Sequence, residues 1–404
     1  MIKVAVLGYG TVGSGVVEVI WTNQKVINER VGEELDIKYI LDLREFPGSP
    51  IEHLLVHDFE QIVKDEEVKI VVEVMGGIEP AYTFVKRCLL AGKSVVTSNK
   101  ALVAKHGAEL LAIAKERNLN FLYEASVGGG IPIIRALTSS LTGDAIEEIT
   151  GILNGTTNYM MSKMYYEDAD YDAVLREAQA LGYAERDPSA DVEGYDSCRK
   201  IAILSSIISG QNVDFEDIYT EGITKITLED IQYAKAMDMK IKLLASCSRI
   251  GDKLCAIVAP HFVSKGHPLY NVEDVFNAIF VKGNMLGDAM FYGSGAGKLP
   301  TASAVVGDVV EAAKNPGRSM MGTWTADKLT LGEKADTTKK FFVRIKGTEA
   351  ELKDAILAAF GSVEVVSLEE KKDEFGFVTD VMSEGAYEAA AATFPQICQM
   401  IRVK

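Results

Sequence analysis

The chain of 404 residues is too long for one simple core and calls for two or three domains. Nearly half of its residues are apolar and a quarter are charged, as in soluble globular proteins, and no apolar run approaches transmembrane length, so no membrane partner is expected. A formal net charge of −16 argues against nucleic acid as a partner, because phosphate binding asks for a basic face.

The start, MIKVAVLG, runs straight into a strand without signal-peptide architecture. The five cysteines (88, 198, 247, 255, 398) form no CxxC pair and are odd in number. Reduced thiols in a cytoplasmic protein are the simplest expectation. Residues 1 to about 126 alternate short apolar runs with helical patterns. Strands are predicted at 3–7, 36–41, 69–74, 94–97 and 120–123, and helices at 11–21, 80–91 and 101–117. Pro80 at a helix start and Gly92 after its end fit the usual punctuation. This alternation predicts an α/β fold with a parallel, doubly wound sheet. His53 and His57 stand at i,i+4, but no third ligand is nearby in sequence and there is no HExxH, so metal chemistry is not expected there.

GYGTVG, Gly8 to Gly13, follows the first predicted strand and opens the first helix. In that context GxGxxG is a Rossmann-type dinucleotide fingerprint. Gly8 makes the tight turn, Gly10 lets the backbone approach a pyrophosphate, and Gly13 lets helix and strand pack closely. The N–H groups around Thr11 and Val12 would meet the phosphates. The acid at the end of the second strand is Asp42, which would hold the adenine ribose. Asp42 favours NAD, whereas Arg44 could meet the 2′-phosphate of NADP; NAD is slightly favoured.

TSNKALV, Thr97 to Val103, sits at a strand's C-terminal end, where doubly wound sheets keep their ligands. Ser98 and Lys100 are therefore candidates for contact with cofactor or substrate. EASVGGGIP, Glu124 to Pro132, offers one carboxylate and several free carbonyls at the end of the next strand. Such a set could coordinate a hard monovalent cation, or serve as a domain hinge.

From GGGIP onward the rhythm changes. A helix is predicted at 133–141, a strand at 146–152, and later strands at 241–245 and 254–260. This is an α+β pattern, with a mixed sheet and helices on one face. Such a sheet commonly finds a second copy, so an oligomer is expected.

Between them lies GYAERDPSADVEGYDSCRK, Gly182 to Lys200. Glu185, Asp187, Asp191 and Glu193 precede an apolar helix, and Asp196 and Lys200 are one turn apart within it. The stripe 196, 200, 203/204, 207 is otherwise apolar. Charges on such a stripe are costly unless paired or used. An ordinary i,i+4 surface pair is the plainer reading; a polar pocket for a small zwitterionic substrate beside an ionisable lysine is the alternative.

GSGAGKLPTASAVVGDVVEAA, residues 293–313, is a Gly-rich loop followed by a small-residue helix, and 314–338 reads as a linker. From Lys340 the order strand, helix, strand, strand, helix, strand predicts a small βαββαβ domain.

The segments VVEVMGGIEPA, SVVTSNKALVAKHG, EASVGGGIPIIRAL, ILNGTTNYM and LGYAERDPSADVEGYDSCRKIAIL, in this order, closely resemble homoserine dehydrogenase over roughly residues 1–320. The resemblance implies NAD(P)-dependent interconversion of L-homoserine and L-aspartate 4-semialdehyde, in threonine, methionine and isoleucine biosynthesis. It implies Lys200 as proton donor and acceptor and Lys100 as a second active-site lysine, with Glu185 and Asp196 binding substrate and Asp191 beside it. It further implies a sodium ion ringed by Glu124, Val127, Gly129 and Ile131, and a Gly-rich loop, with Gly295 and Gly297, that returns to the cofactor. No aspartate kinase region precedes the fold, which fits a monofunctional form, as a homodimer or homotetramer. The expected domains are 1–130 for the dinucleotide, completed by 294–320; 131–293 for substrate and oligomerisation; and 340–404 as an ACT-like domain. The acidic-Pro-Gly turn that usually opens the first helix of that regulatory domain is absent, with RIKGTEAELKDAI in its place. This argues against threonine feedback and leaves an oligomerisation or vestigial role. A lysine exchanges protons near neutral pH only where burial or a neighbouring cation disfavours its charge. An apolar stripe for Lys200, with Lys100 nearby, would offer both.

Two other readings share the glycine fingerprint. A two-domain dehydrogenase for another small amino acid or polyol would lack the loop 182–200. A non-catalytic NAD-binding redox sensor would need neither the lysines nor the carboxylates.

Overall fold

The computed structural model describes residues 1–320, 322 and 324–404. Met321 and Thr323, inside the stretch expected as a linker, lie outside the described residues. The chain packs as two compact units. One comprises residues 1–145, 202–215 and 291–329, and the other 146–201, 216–290 and 330–404. The helix Tyr195–Ser209 is divided between them.

The first unit contains, in chain order, β1 (Ile2–Leu7), α1 (Thr11–Thr22), α2 (Gln24–Val31), β2 (Leu35–Leu41), β3 (Leu55–Val56), α3 (Phe59–Lys64), β4 (Val68–Glu73), α4 (Ala81–Leu90), β5 (Ser94–Thr97), α5 (Lys100–Glu116) and β6 (Phe121–Leu122). Its six strands are parallel in the order β3-β2-β1-β4-β5-β6. That is the doubly wound dinucleotide order, with its reversal between β1 and β4. The strands read as near-continuous apolar runs because both faces are covered. Val4, Val6, Ile37, Ile40, Ile70 and Val72 pack with Val16, Val17 and Ile20 of α1. The helix Lys298–Lys314 joins the same core through Ala302, Val305 and Val309. Gly15 permits this approach, since a Cβ there would lie 2.8 Å from the Lys298 carbonyl oxygen.

Register sets the site. Leu7 pairs with Leu41 on one side and Glu73 on the other, and Glu73 pairs with Thr97. The C-terminal ends of β1, β2, β4 and β5 are therefore level, and Gly8, Asp42, Val74 and Ser98 follow them at one rim. The helix predicted at 133–141 is α-helical only over Ile133–Arg135 and continues as a π turn over Ala136–Ser140. The expected linker is partly anchored: Trp324 is buried edge-on against Tyr123, and Gly107 makes room for its ring. Thr325–Lys328 pairs with Gln211–Asn212.

The second unit is built on a mixed sheet. Its main path runs Gly287–Ser294, Phe276–Gly283, Ile146–Ile152, Met239–Ile250, Lys253–Ser264, Ile397–Val403, Thr338–Lys346, Glu374–Thr379, Val363–Val366. The last four are the tail's strands, arranged as fourth, first, third, second, with antiparallel neighbours. The helices Glu349–Phe360 and Glu384–Ala391 complete the βαββαβ order and cover a core of Phe341, Val343, Ile356, Phe360, Phe377 and Tyr387.

The tail was expected as a separate domain, yet its sheet continues that of the substrate region. Ile397–Val403 pairs in parallel with Lys253–Ser264, His261 matching Arg402 and Phe262 matching Val403. The Ser264 N–H donates to the Lys404 carbonyl at 3.0 Å, and the Lys404 N–H to that of Phe262 at 2.8 Å. An uncovered sheet edge carries unpaired N–H and C=O groups, and the tail satisfies them here.

Candidate functional site

The first unit supplies a cleft of about 540 Å³ at the reversal point, lined by Gly8, Gly10, Asp42, Arg44, Met75 and Gly76 among others. Two of the fingerprint glycines are required by the protein itself. Gly8 has φ +97°, and a Cβ on Gly13 would lie 1.9 Å from the Gly8 carbonyl oxygen. Gly10 differs, because a Cβ there would meet nothing within 4 Å. The empty cradle over Gly10, at the N-cap of α1, fits a pyrophosphate approaching the backbone and the N–H groups of Thr11 and Val12.

Asp42 is fixed by four hydrogen bonds. It accepts from Tyr9 N (2.8 Å), Arg44 N (3.0 Å), Arg44 Nε (2.9 Å) and Arg44 Nη2 (2.9 Å). The Arg44 side chain holds the Asp42 carboxyl well below the usual carboxylate range. Arg44 itself is exposed and also donates to the Tyr9 carbonyl at 3.0 Å. One carboxylate for ribose hydroxyls and one guanidinium for a phosphate thus share the same corner, so the donor set fits NAD and NADP alike.

At the other end of the rim, Glu73 is a fully buried carboxylate that the sequence reading did not single out. It accepts from Thr97 Oγ1 (2.6 Å) and Met75 N (2.8 Å). Burial pushes its carboxyl up, against the hydroxyl and the N–H groups of Met75 and Gly76. Asn99 caps α5 by accepting from Leu102 N at 3.1 Å and donates to the Gly77 carbonyl. The Thr97–Asn99 loop is thereby pinned to the loop after β4. Ser98 is half-buried on it, with its N–H 3.4 Å from the Glu73 carbonyl, and Lys100 is half-buried as the first residue of α5. The signal for Glu73 was an acid ending a strand straight after the buried apolar run Ile70, Val71, Val72.

Glu124 was expected to lend a carboxylate to a cation. It accepts instead from Ile134 N (2.8 Å) and Arg135 N (2.7 Å), capping the helix start that follows. A buried helix start needs such an acceptor, and each oxygen of the Glu124 carboxylate meets one of these N–H groups. Burial pushes the Glu124 carboxyl up, and the capped N–H groups offset it. Its own N–H donates to Asp308 at 2.8 Å; burial first, and the Glu124 charge second, push the Asp308 carboxyl to about 7. Gly129, φ +55°, lies where a Cβ would be 2.4 Å from the Gly295 carbonyl oxygen, and Gly130 N donates to Ser294 O at 3.1 Å. The glycines of GGGIP, with Val127 and Ile131 both buried beside them, therefore seat the turn on the 293–297 loop. Gly297, φ +118°, is the N-cap of Lys298–Lys314. Among the described residues no group of three or more His, Cys, Asp or Glu side chains could hold a metal ion.

The second unit builds a buried polar set at the end of strand Ile146–Ile152. Lys200, 9% exposed, donates from Nζ to the Leu153 carbonyl (2.6 Å) and to Asp196 Oδ2 (2.6 Å). Asn154 donates from Nδ2 to Asp191 Oδ1 (2.7 Å) and Asp196 Oδ2 (3.0 Å). The pair is not an exposed surface bridge: Asp196 is buried, and Ile203 and Leu204 continue the same stripe in the core. The loop carrying Asp191 is held from below, since Ile223 N donates to Val192 O at 2.8 Å. Gly222 makes that contact possible, because a Cβ there would lie 2.0 Å from the same carbonyl oxygen. Glu185 is exposed on the same loop, where its carbonyl accepts from Gln179 Nε2 at 3.0 Å. Lys200, Asp196 and Asp191 were legible in the sequence; Asn154 and Gly222 were not.

The structure has the form of known enzymes. The family model described as homoserine dehydrogenase matches residues 132–310, and that described as homoserine dehydrogenase, NAD binding domain, matches residues 8–124. The homoserine dehydrogenase of Corynebacterium glutamicum is 40% identical over 402 residues, which are 96% of this chain and 90% of that protein. The crystal structure of a homoserine dehydrogenase from Thiobacillus denitrificans superposes with a TM-score of 0.90 at 34% identity, covering 100% of this chain and 98% of that one. A hyperthermophilic archaeal homoserine dehydrogenase solved in complex with NADPH matches with a TM-score of 0.67 at 30% identity, covering 77% of this chain and 97% of that one. No helix among the described residues is long and apolar enough to cross a membrane. A parallel dinucleotide sheet with its glycine fingerprint, joined in one chain to a mixed-sheet unit with a buried lysine–carboxylate set, belongs with these relatives: the chain is a member of the homoserine dehydrogenase family of NAD(P)-dependent oxidoreductases.

Proposed function

We propose that this enzyme interconverts L-homoserine and L-aspartate 4-semialdehyde by hydride transfer, with Lys200 carrying the hydroxyl proton. The observation behind this reading is the hydrogen-bonded set of buried Lys200, Asp196 and Asn154 with half-buried Asp191. Gly8, Gly10, Thr11, Val12 and Asp42 would hold the dinucleotide, which would supply the hydride acceptor, or in reduction the donor, for the substrate's terminal carbon. The chain's own residues do the rest. Lys200 takes the hydroxyl proton at Nζ as the alkoxide develops and gives it back in reduction. Asp191, Asp196 and Glu185 offer negative charge to the substrate ammonium and fix its orientation. Lys100, the first residue of α5, is the second lysine of this reading. Substrate-dependent reduction of both NAD and NADP by L-homoserine tests the reading; reduction with neither cofactor would reject it.

The cofactor corner supports NAD with NADP accepted. Asp42 serves the ribose hydroxyls, and Arg44, exposed beside it, serves a 2′-phosphate. The expected result for Arg44→Ala is a KM for NADP raised about tenfold, in line with losing one charge-assisted phosphate contact, with KM for NAD changed less than twofold. Equal changes for both cofactors would remove Arg44 from this role.

The finer assignments form part of the same reading. A sodium ion would be ringed by Glu124, Val127, Gly129 and Ile131. The two functional regions correspond to residues 1–130 with 294–320, and to 131–293. The tail, residues 340–404, is ACT-like in its βαββαβ order and serves assembly rather than threonine feedback. The outer strand Gly287–Ser294, with Met290 and Tyr292 exposed at 43% and 54%, supports a homodimer or homotetramer. The enzyme works in the cytoplasm, in threonine, methionine and isoleucine biosynthesis.

A further inference from the structure

We propose that Asn154 is a positioning residue that holds Asp191 and Asp196 in register with Lys200, an inference that rests on the assignment of Lys200 above. Asn154 is 6% exposed and sits where strand Ile146–Ile152 turns into helix Gly155–Glu167. Its two side-chain atoms face opposite demands. Oδ1 accepts from Thr157 N at 2.9 Å, capping the helix. Nδ2 donates to Asp191 Oδ1 at 2.7 Å and to Asp196 Oδ2 at 3.0 Å. The partners force this orientation, since an N–H lies on one side and two carboxylates on the other. The amide therefore uses both of its donors on carboxylates 37 and 42 residues away.

The bridge matters because the carboxylates repel. Asp191 and Asp196 converge on one amide, whose Nδ2 lies between them, and the Lys200 ammonium stands on Asp196 Oδ2 at 2.6 Å. The preceding residue, Leu153, gives its carbonyl to the same ammonium at 2.6 Å. Two successive backbone positions thus fix both the lysine and its acids to the rigid end of a strand. A shift of the amide would move the carboxylates and, through Asp196, the direction of Lys200 Nζ. A misplacement near 1 Å costs about a hundredfold in rate.

Capping and bridging use different atoms, so they can be separated. Ser and Asp cap helices about as well as Asn. Asn154→Ser keeps an acceptor for Thr157 N but has no donor that reaches both acids. Asn154→Asp keeps the cap and sets a third carboxylate against the other two. A cap alone predicts near-equal activity for all three proteins. Positioning predicts Asn far above Ser, and Ser above Asp. The expected result is a kcat/KM for homoserine lowered about 10- to 100-fold in Asn154→Ser and further in Asn154→Asp. KM for homoserine should rise, KM for NAD should stay put, and the melting midpoint should hardly move. Both variants within twofold of the parent would overturn the proposal. So would failure of both to fold, which would make Asn154 a structural residue. If Asn154→Ser alone fails to fold, Asn154→Asp decides. Lys200→Ala is measured beside them: if it keeps turnover, the underlying assignment fails. If it is inactive while both Asn154 variants match the parent, only the present inference fails.

Discussion

Lys200→Ala should lose turnover by about a thousandfold or more while binding NAD as the parent does. The size follows from its task, because a positioned proton carrier contributes about 10²- to 10⁴-fold. It also follows from what the mutation leaves behind. Lys200 Nζ stands 2.6 Å from Asp196 Oδ2, and Asp196 is buried. Without the ammonium, Asp196 keeps the Asn154 amide but loses the charge of Lys200 in a buried setting. Cofactor binding should survive because Gly8, Gly10, Gly13 and Asp42 belong to the first unit. Fluorescence titration with NADH and steady-state rates with L-homoserine measure the two quantities separately. Lys200→Arg sharpens the test. It restores a cation for Asp196, but guanidinium does not release a proton near neutral pH, so it should remain inactive. Near-normal turnover in either variant would refute the assignment. Lys100→Ala is the comparison, since the two lysines could exchange roles.

The parts legible in sequence are those whose physics is local. A glycine fingerprint after an apolar run predicts the first turn of a dinucleotide sheet, and β1, α1 and the Gly13 contact follow it. Asp196 and Lys200 betray themselves by standing one turn apart on a core stripe. What escaped was non-local. Asn154 in ILNGTTNYM looks like an ordinary helix cap, and half of its function is that; the other half reaches residues 37 and 42 positions further on. Gly222 is one glycine among thirty-five until the Val192 carbonyl is found against it. Glu124 carries a second demand that its own surroundings in sequence do not announce. An acid before a Gly-rich turn suggested a cation ligand, but the nearest demand was the orphan N–H groups of Ile134 and Arg135. The tail's sheet partner was equally hidden. Its internal βαββαβ order was legible, whereas pairing between two edge strands separated by well over a hundred residues leaves no local trace.

That tail junction carries the other large expectation. Arg402→Met should destabilise the second unit by about 3–5 kcal/mol, the cost of breaking a buried ion pair from one side. Arg402 is 1% exposed on the strand that joins the tail to the central sheet. Its Nε donates to Glu384 Oε2 at 3.1 Å, its Nη2 to Glu384 Oε1, and its Nη1 to Glu221 Oε2 at 2.9 Å. Glu384 is fully buried. Burial alone would raise its carboxyl, yet the Arg402 bonds and the nearby Lys334 ammonium hold it below the usual range. Methionine would leave Glu384 with Lys334 at 3.2 Å and no fork. For a unit of this size the loss corresponds to roughly 10 °C in melting midpoint. Because the folded-state carboxyl is lowered, the pair's contribution is present above the ordinary glutamate range and fades as pH falls through the lowered value. The parent should therefore lose its advantage over Arg402→Met in acid. Replacing Glu384 with Met as well should recover much of the loss, since an apolar pair needs no compensation. A melting midpoint within about 1 °C of the parent in Arg402→Met would show that the tail is only loosely joined, and would leave room for a regulatory motion that this buried fork otherwise opposes.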